Sequence, residues 1–501
     1  MSLCTTPPFQ LKSPMNKLSQ KELLEEFKPI FYPESIAIVG ASQDMQKVGY
    51  GWVKGLVDAG FSGSIYPVNP RGGELLGLKI YPSLAAIPGT VDYVVVLIPR
   101  NAVPDLLDDC AAKKVKAVHF FTAGFGEVGD ATGHRLEEEL REKARQGGFR
   151  IIGPNCIGAY CPESKIPYGP LAARPLSALG ESGPVGFITQ SGGIGGKLIE
   201  LGIARGIKYS KGISFGNGID LDAVDFLKYM AADPEISVIG AYLEGTKDGH
   251  RLFSTIKEVA KVKPLIVWKA GRTEVGAAAA KSHTGSLASS ALIWSAALKQ
   301  ASAVEVYSLE ELADTLLIFQ QLQRWQGKGI AIAGGLADGG GGISVSAGDI
   351  CSELGLSIPP LSESTRQQLS SLLGQVGSIL HNPVDVSQGG GRPLILEQVF
   401  KLIITDPSID LLIVQEDTGI LMMQMLWEEV EAINNIFIDI MATQDKPVVI
   451  VLPSGAAEME RLQIEHKLTQ ASIPVFPTME RAAKAIRNLS QYSRFQAAMR
   501  G

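Results

Sequence analysis

The sequence predicts an α/β protein built from three parallel-sheet units in tandem. Short apolar runs, typical of strands buried on both faces, alternate with longer helical stretches. Clusters of glycine follow several of these runs, as expected where a strand turns into a helix. The chain has 501 residues, too many for a single core. We place the units at residues 31–165, 175–325 and 328–495. Residues 1–30 are polar, become weakly helical at Lys21–Phe27, and are predicted to form an N-terminal tail or arm.

Composition argues against several classes of protein. The formal net charge is −6 and no dense stripe of Lys or Arg occurs, so we expect neither nucleic acid nor a membrane surface as a partner. No segment reaches membrane-spanning length and no apolar signal stretch is found near the N-terminus, which makes the cytoplasm the default location. The five cysteines form no C-x-x-C pair, so we expect reduced thiols and no metal site.

The first unit begins with an apolar strand that runs into a glycine turn. Its five predicted strands are Ser35–Val39, Gly63–Asn69, Val91–Ile98, Ala117–Thr122 and Phe149–Ile152. The turn Gly40-Ala41-Ser42 gives backbone N–H groups access to an anion near a helix N-terminus, which favours a nucleotide or coenzyme A (CoA). A purely structural turn is the alternative.

Other positions on the same sheet edge bear on the ligand. The second strand ends in Val68-Asn69-Pro70 with no acidic residue to hold ribose hydroxyls, which argues against an NAD site. Pro99 follows Ile98 at the end of the third strand, and Asn155 follows the fifth. Together these positions suggest a long ligand laid across the carboxyl edge of the sheet.

The second unit opens on the strand Pro184–Thr189, followed by Gln190-Ser191-Gly192-Gly193 and a helix. Small residues at a helix N-terminus expose N–H donors and form an anion cradle. The motif lacks the lysine of a P-loop, and a tight structural turn remains the alternative. Further strands are predicted at Val238–Leu243 and Pro264–Trp268, and a long helix at 309–323.

His283 stands in the segment Lys281-Ser282-His283-Thr284-Gly285, after a run of small residues at 271–280. We expect this run to form a mobile loop. An imidazole in such a loop is partly neutral at pH 7 and can accept a phosphoryl group. It needs an acid to orient its second ring nitrogen, and Glu244, directly after a predicted strand, is available for that role. A structural histidine is the alternative.

The third unit is predicted to start with the strand Gly329–Ala333, after a short linker at 324–329. Its later strands are expected at Leu411–Val414 and Pro447–Leu452.

In order and spacing, the motifs resemble the α subunit of ADP-forming acetyl-CoA synthetases and related acyl-CoA synthetases. They are more distantly similar to the α subunit of succinyl-CoA synthetase. The matching segments are Ser35–Ser42, Ile65–Pro70, Gly153–Cys156, Thr189–Gly192, Ser214–Asn217 with Asp220 and Asp222, Tyr242–Gly245, Lys269–Arg272, Ser282–Gly285, Gly334-Gly335 and Asn382–Asp385. The resemblance covers about residues 30–490 and implies a Rossmann-like CoA-binding domain followed by two flavodoxin-like, succinyl-CoA synthetase-like domains.

The resemblance also implies a mechanism. Acyl-CoA and phosphate give an acyl phosphate and free CoA, His283 takes the phosphoryl group, and ADP receives it. Glu244 matches the acid that orients the histidine, and Ser191, Gly192 and Gly193 match the helix N-terminus that holds phosphate. The positions that match CoA contacts are Gly40, Ser42, Val68, Asn69, Pro70, Ile98 and Pro99, with Asn155 near the thiol end.

No ATP-grasp unit is recognisable in the sequence. The resemblance therefore implies a separate ATP-grasp β subunit that holds Mg-ADP or Mg-ATP, in a heterotetramer. A catalytically silent CoA-binding scaffold is the main alternative, although the intact set of His283, Glu244 and Ser191 argues against it. A protein lysine acyltransferase would need a further domain, and a dehydrogenase is a remote alternative.

Overall fold

The structure is a computed structural model that describes residues 17–170, 179–284, 290–322, 325–336, 341–374, 379–387 and 392–500. The chain divides into two compact units. The first comprises Met1–Leu201 and Lys208–Leu309, and the second comprises Gly202–Ile207 and Glu310–Gly501. Two of the three main sheets lie in the first unit and one lies in the second.

The first sheet contains five parallel strands in the order β2-β1-β5-β6-β7, and a small antiparallel hairpin, β3-β4, follows β2. The strands are β1 Ser35–Val39, β2 Ser64–Val68, β3 Gly73–Leu75, β4 Leu78–Ile80, β5 Tyr93–Val96, β6 Ala117–Phe120 and β7 Arg150–Ile152. The helices are α1 Lys17–Phe31, α2 Val48–Ala59, α3 Val103–Lys113 and α4 Ala131–Gly147.

Alternate residues of β1 explain why helices cover both faces of this sheet. Ile36 and Ile38 pack into a core with residues of α2, whereas Ala37 and Val39 pack into a second core with residues of α3 and α4. A strand that is apolar on both sides is stable only when both sides are covered, so the continuous apolar run predicts a buried parallel strand.

The second sheet has the order β13-β12-β11-β9-β10-β8, with β8 antiparallel at the edge. The strands are β8 Gly158–Tyr160, β9 Val185–Thr189, β10 Tyr209–Ser214, β11 Val238–Leu243, β12 Leu265–Lys269 and β13 Val304–Val306. The helices are α5 Gly192–Ala204, α6 Ala223–Ala232, α7 Gly249–Val262, α8 Glu274–Thr284 and α9 Ala291–Ala301.

The third sheet has five parallel strands in the order β15-β14-β16-β17-β18. The strands are β14 Ile330–Leu336, β15 Val384–Asp385, β16 Leu411–Glu416, β17 Val448–Val451 and β18 Val475–Phe476. The helices are α10 Leu309–Leu322, α11 Gly341–Glu353, α12 Glu363–Leu373, α13 Pro393–Thr405, α14 Thr418–Gln424, α15 Trp427–Thr443, α16 Glu458–Gln470 and α17 Met479–Arg500.

All three sheets share one strand order. The strands of each sheet are numbered here from 1 to 5 in chain order, without the hairpin and β8. In this numbering each sheet has the order 2-1-3-4-5, the flavodoxin-like doubly wound arrangement. The predicted α/β fold class with parallel sheets is confirmed. In such sheets ligands bind beyond the carboxyl ends of strands 1 and 3, where the following loops diverge to opposite faces.

The N-terminal segment is not merely a polar tail. Residues 17–31 form α1, and the rings of Phe27 and Phe31 stack on Tyr229 of α6 at centroid distances of 4.8 and 4.9 Å. The weakly helical stretch predicted at Lys21–Phe27 lies within α1, and the buried aromatic rings of this helix pack on an apolar face of the first unit. Residues 1–16 lie outside the described part of the chain.

The described residues bear on two predictions, one about membrane-spanning helices and one about the cysteines. No helix among them is both long enough and apolar enough to cross a bilayer. Four of the cysteines, Cys110, Cys156, Cys161 and Cys351, are buried and form no disulfide.

A buried ion cluster lies at β10. Lys211 is fully buried, and its Nζ lies 2.9 Å from Asp233 Oδ2, contacts Glu235 and sits over the ring of Tyr32. A lysine can occupy the middle of a buried strand only when opposite charge compensates its lost hydration. The Tyr32 hydroxyl also donates to Glu235, which connects the end of α1 to this cluster.

We predict that Lys211→Ala strongly destabilises the first unit. Removing one partner of a buried pair leaves Asp233 without the positive charge of Lys211, at a cost of about 3–5 kcal/mol. The urea midpoint of the unfolding transition should fall accordingly. Lys197→Ala is the control, because Lys197 is exposed and pairs only with an exposed Glu200. Equal midpoints for the two variants would contradict the prediction.

Candidate functional site

The carboxyl edge of the first sheet is shaped by the turn after β1. Gly40 has φ = +101°, a region that residues with a side chain rarely adopt. A Cβ at this position would lie 3.0 Å from the Cβ of Leu97, just after β5. Glycine therefore lets the loops after β1 and β5 approach each other at the point where a ligand would cross the sheet.

Two backbone amides of the predicted anion-binding turn Gly40-Ala41-Ser42 are already hydrogen-bonded within the protein. Gly40 N and Ala41 N both donate to the carbonyl of Val68, at 3.0 and 3.2 Å. Helix α2 begins only at Val48, six residues beyond Ser42, because residues 42–47 form a separate loop. Any anion here must therefore be held by groups that come after Ala41.

The other predicted contacts of this edge come together around the same strands. Asn69 Nδ2 donates to Ala41 O at 2.7 Å, and Asn69 Oδ1 accepts from Arg71 N, so the loops after β1 and β2 are joined. Val68 is buried, Ser42 and Ile98 are partly buried, and Pro70 and Pro99 are exposed. All of these residues lie in or directly after β1, β2 and β5, at the carboxyl edge of the first sheet.

Asn155 reaches the same edge from β7. Its φ is +58°, a conformation that asparagine tolerates better than most residues. Its backbone N donates to Thr122 O at 3.1 Å, and the Thr122 hydroxyl donates to Ile98 O at 2.7 Å. The loops after β5, β6 and β7 are therefore joined in one chain of hydrogen bonds.

The switch point of the second sheet lies between β9 and β11. The side-chain carbonyl of Gln190 accepts hydrogen bonds from Glu244 N and Gly245 N, at 2.5 and 3.0 Å. In return Gln190 N donates to Tyr242 O. Gln190 thus fixes the N-terminus of α5 beside Glu244. This role of the Gln190 side chain was not predicted, because the contact joins residues more than fifty positions apart.

The N-terminus of α5 has one shielded and one open glycine. A Cβ on Gly192 would clash with Ile157, whereas a Cβ on Gly193 would meet only Ser191 Oγ, at 4.0 Å. Ser191 Oγ accepts from Ile194 N at 3.5 Å, in the manner of an N-cap. The positive end of the helix dipole therefore faces accessible space at Gly193, where an anion would be stabilised.

Glu244 is buried beside polar neighbours. Only 5% of its surface is exposed, and Lys269 Nζ donates to its backbone carbonyl at 2.8 Å. Burial lowers the pKa of Lys269, and the nearby Glu244 opposes this shift. Burial and the adjacent Glu244 carboxyl raise the pKa of Tyr242 well above its usual range. The site therefore combines a carboxylate, an ammonium group and a helix N-terminus.

The expected mobile loop around His283 is wrong for the backbone of residues 274–284, which forms helix α8. The run of alanines at 277–280 favours a helix, and Thr273 Oγ1 accepts from Gly276 N at 3.1 Å at its start. His283 belongs to the last turn of α8, and its side chain lies outside the described part of the structure, as does Gly285.

Comparison with known families follows this division of sheets. The CoA binding domain family matches residues 34–162, the succinyl-CoA ligase like flavodoxin domain matches residues 182–319, and the Ligase-CoA domain matches residues 334–499.

Relatives match along nearly the whole chain. The sequence is 35% identical over 475 residues to the acetate–CoA ligase [ADP-forming] I subunit alpha of Pyrococcus furiosus, covering 93% of this chain and 98% of that one. The chain belongs to the family of ADP-forming acetate–CoA ligase α subunits. Family members are acid–thiol ligases.

A solved structure of this ligase family has the same fold. The dinucleotide forming acetyl-coenzyme A synthetase 1 of Ca. Korarchaeum cryptofilum, in complex with phosphate and ADP, is 32% identical with a TM-score of 0.81. The match covers 94% of this chain and 97% of that one. Against the acetate–CoA ligase [ADP-forming] of Methanocaldococcus jannaschii, the present chain spans 49% of the relative's length.

The third sheet of this α-subunit family member contains a buried carboxyl at its own switch point. Glu416, the last residue of β16, is fully buried, and its Oε1 accepts from Asn434 Nδ2 at 3.1 Å. Its Oε2 has no hydrogen-bond partner among the described residues. Burial raises the pKa of Glu416 to about 7. This buried carboxyl was not predicted, because its partner Asn434 lies on helix α15, 18 residues away in sequence.

We predict that Glu416 makes the second unit less stable as the pH rises. An unfolded glutamate has a pKa of about 4.3, so the folded state binds the proton more tightly. This stabilisation is complete below about pH 4 and is lost as the pH rises through about 7. The side chain of Glu416→Gln stays neutral at both pH values. The free energy of unfolding of the variant, minus that of the parent, should therefore be higher at pH 8 than at pH 5 by roughly 2–4 kcal/mol.

The comparison requires urea unfolding of both proteins at the two pH values. Glu428→Gln on the exposed side of α15 is the control and should give no such difference. If Glu416→Gln followed the parent at both pH values, the proton on Glu416 would have no role in stability.

Proposed function

We propose that this chain catalyses the CoA half of the reaction acyl-CoA + Pi + ADP ⇌ carboxylic acid + CoA + ATP, with His283 as the phosphoryl carrier. The proposal divides the chain into an N-terminal tail, a CoA-binding domain, a domain with the phosphohistidine segment, and a second flavodoxin-like domain. The main support for this proposal is the pair of hydrogen bonds that the Gln190 side chain accepts from Glu244 N and Gly245 N. These bonds hold Glu244 beside the N-terminus of α5.

The first step forms an acyl phosphate. A phosphate oxygen attacks the thioester carbonyl, the C–S bond breaks, and CoA leaves as a thiol after taking a proton. The N-terminus of α5 at Ser191, Gly192 and Gly193 supports this step, because a helix N-terminus stabilises an anion by roughly 0.3–2 kcal/mol. This energy positions the phosphate without trapping it.

The second step moves the phosphoryl group to the histidine. A neutral ring nitrogen of His283 attacks phosphorus, the P–O bond to the acyl group breaks, and the carboxylate leaves. Glu244 orients the imidazole and stabilises its positive charge by accepting a hydrogen bond from the other ring nitrogen. Phosphoryl transfer depends on such positioning and charge neutralisation.

The CoA site would use the carboxyl edge of the first sheet. In this proposal Gly40, Ser42, Val68, Asn69, Pro70, Ile98 and Pro99 contact CoA, and Asn155 lies near its thiol end. The close approach at Gly40 and the hydrogen-bonded chain from Asn155 to Ile98 support an extended ligand laid across the strand ends.

The last step requires a second protein. Relatives bear the name α subunit, which supports a partner that phosphohistidine reaches and that binds Mg-ADP or Mg-ATP. We infer that this partner is an ATP-grasp β subunit in a cytoplasmic heterotetramer. The M. jannaschii relative, about twice as long as the matched region, is consistent with the two parts joined in one chain.

We predict that His283→Ala abolishes phosphoryl labelling. The chain with labelled acetyl phosphate should acquire an acid-labile, base-stable label, because phosphoramidates have this stability. His250→Ala is the matched control, since His250 is exposed at the start of α7. CoA binding should be the same in both variants. A label that survives His283→Ala would exclude this residue as the carrier.

We predict that Gly193→Ala weakens phosphate use without affecting stability. Its Cβ meets open space in the protein but would occupy the anion position, so the KM for phosphate should rise about 2- to 30-fold. Gly192→Ala, which clashes with Ile157, should instead lower the melting temperature. An unchanged phosphate KM in Gly193→Ala would contradict phosphate binding at this helix end.

A further inference from the structure

Two carboxylates and one amide form a cluster in the loop after β6. Asn217 Nδ2 lies 2.6 Å from Glu127 Oε2 and 2.8 Å from Glu137 Oε1. Glu127 follows β6, Glu137 belongs to α4, and Asn217 follows β10, so three separate elements of the first unit meet here. Asn217 was among the matching segments of the sequence, but neither the reaction steps nor the CoA site uses it.

The orientation of the amide is fixed by this arrangement. Carboxylates only accept hydrogen bonds, so the NH2 group of Asn217 must face both of them. Its two protons bridge two negative charges that would otherwise repel each other. The backbone N of Asn217 donates to Pro154 O at 3.0 Å, which anchors the bridging residue to the loop that precedes Asn155.

The two carboxylates in turn hold the backbone of a turn. Glu127 accepts from Gly124 N at 2.5 Å and from Phe125 N at 3.1 Å, and Glu137 accepts from Gly126 N at 3.1 Å. A Cβ on Gly126 would lie 2.6 Å from Glu137 Oε2, so glycine is needed for this approach. Three consecutive amides are thereby fixed at the start of the 3₁₀ turn Gly126–Val128.

Helix α8 lies against this 3₁₀ turn. The turn therefore serves as a seat for the helix whose last turn contains His283. The position of the seat depends on Asn217, because without the amide the carboxylates that hold it would repel each other.

We propose that Glu127, Glu137 and Asn217 are positioning residues that hold α8 where His283 exchanges phosphate with the acyl phosphate. This inference rests on the function proposed above for His283. The three residues act through the seat and touch neither substrate nor the reacting atoms. Their effect should therefore appear in phosphoryl transfer between acyl phosphate and His283.

Other charged groups surround the cluster. Arg100 donates to Gly124 O, and Arg141 of α4 donates through Nε to Ile219 O, two residues beyond Asn217. Glu274 stands in the first turn of α8. Asp130, at the N-cap of α4, pairs with Arg100. In the described structure both arginines donate to backbone carbonyls, and the hydrogen bonds that join Glu127 and Glu137 come from Asn217.

The test replaces the bridging amide by a third carboxylate. Asn217→Asp removes the donors and adds a charge, and like charges in one cluster favour protonation, so its defect should shrink on acidification. Asn101→Asp, which adds the same charge at an exposed position, is the matched control. Asn217→Ala, which removes the donors without adding charge, is the second variant if Asn217→Asp folds poorly.

The measurement is the single-turnover rate of labelling by labelled acetyl phosphate, at pH 6 and pH 8. Asn217→Asp should be slower than the parent by about tenfold or more at pH 8 and should recover most of this loss at pH 6. Asn217→Ala should be slower at both pH values, by about threefold or more. Asn101→Asp should match the parent throughout.

Three results would overturn the inference or its basis. If Asn217→Asp labels at the parental rate, the cluster does not position α8. If its loss is the same at pH 6 and pH 8 and follows a lower melting temperature, the role is only structural. If the parent protein itself takes no label at His283, the proposed function fails, and the inference fails with it.

Discussion

The constraint on which the site depends is the 2-1-3-4-5 strand order. Strands 1 and 3 are neighbours in each sheet, and the segments that follow them diverge to opposite faces. In the first sheet this brings Gly40 next to Leu97, and in the second it brings Gln190 next to Glu244. One backbone arrangement therefore underlies both the proposed CoA site in the first sheet and the proposed phosphate site beside a carboxylate in the second.

In the second sheet, a few side chains supply the charged and polar groups of the proposed site. Gln190 satisfies two amides and so fixes the carboxylate of Glu244 relative to a helix N-terminus. The buried Lys269 donates to the carbonyl of the same residue, and its ammonium group contributes positive charge nearby. In the proposed reaction phosphate and phosphohistidine are both anions, which the helix N-terminus and the ammonium group would stabilise.

Sequence reasoning located the fold because buried parallel strands are continuous apolar runs. It missed β10, where Lys211 interrupts the run, since its compensating acids are more than twenty residues away. It also missed β15 and β18, which have two residues each and carry no periodic signal. The side-chain contacts of Gln190, Glu416 and Asn217 were not predicted, because their partners are distant in sequence. The loop expected before His283 failed because small residues favour a helix as readily as a flexible segment when four of them are alanine.

The helical state of residues 274–284 changes how a carrier on this segment would travel. A flexible tether would lose conformational freedom at each docking event. A short helix rich in alanine loses little side-chain entropy on docking. It also has few large side chains whose contacts must break when the helix moves. If the proposed carrier moves as one helix, the motion is a rotation about the residues before Glu274, where Gly271 has φ = +69° and gives the backbone conformational freedom.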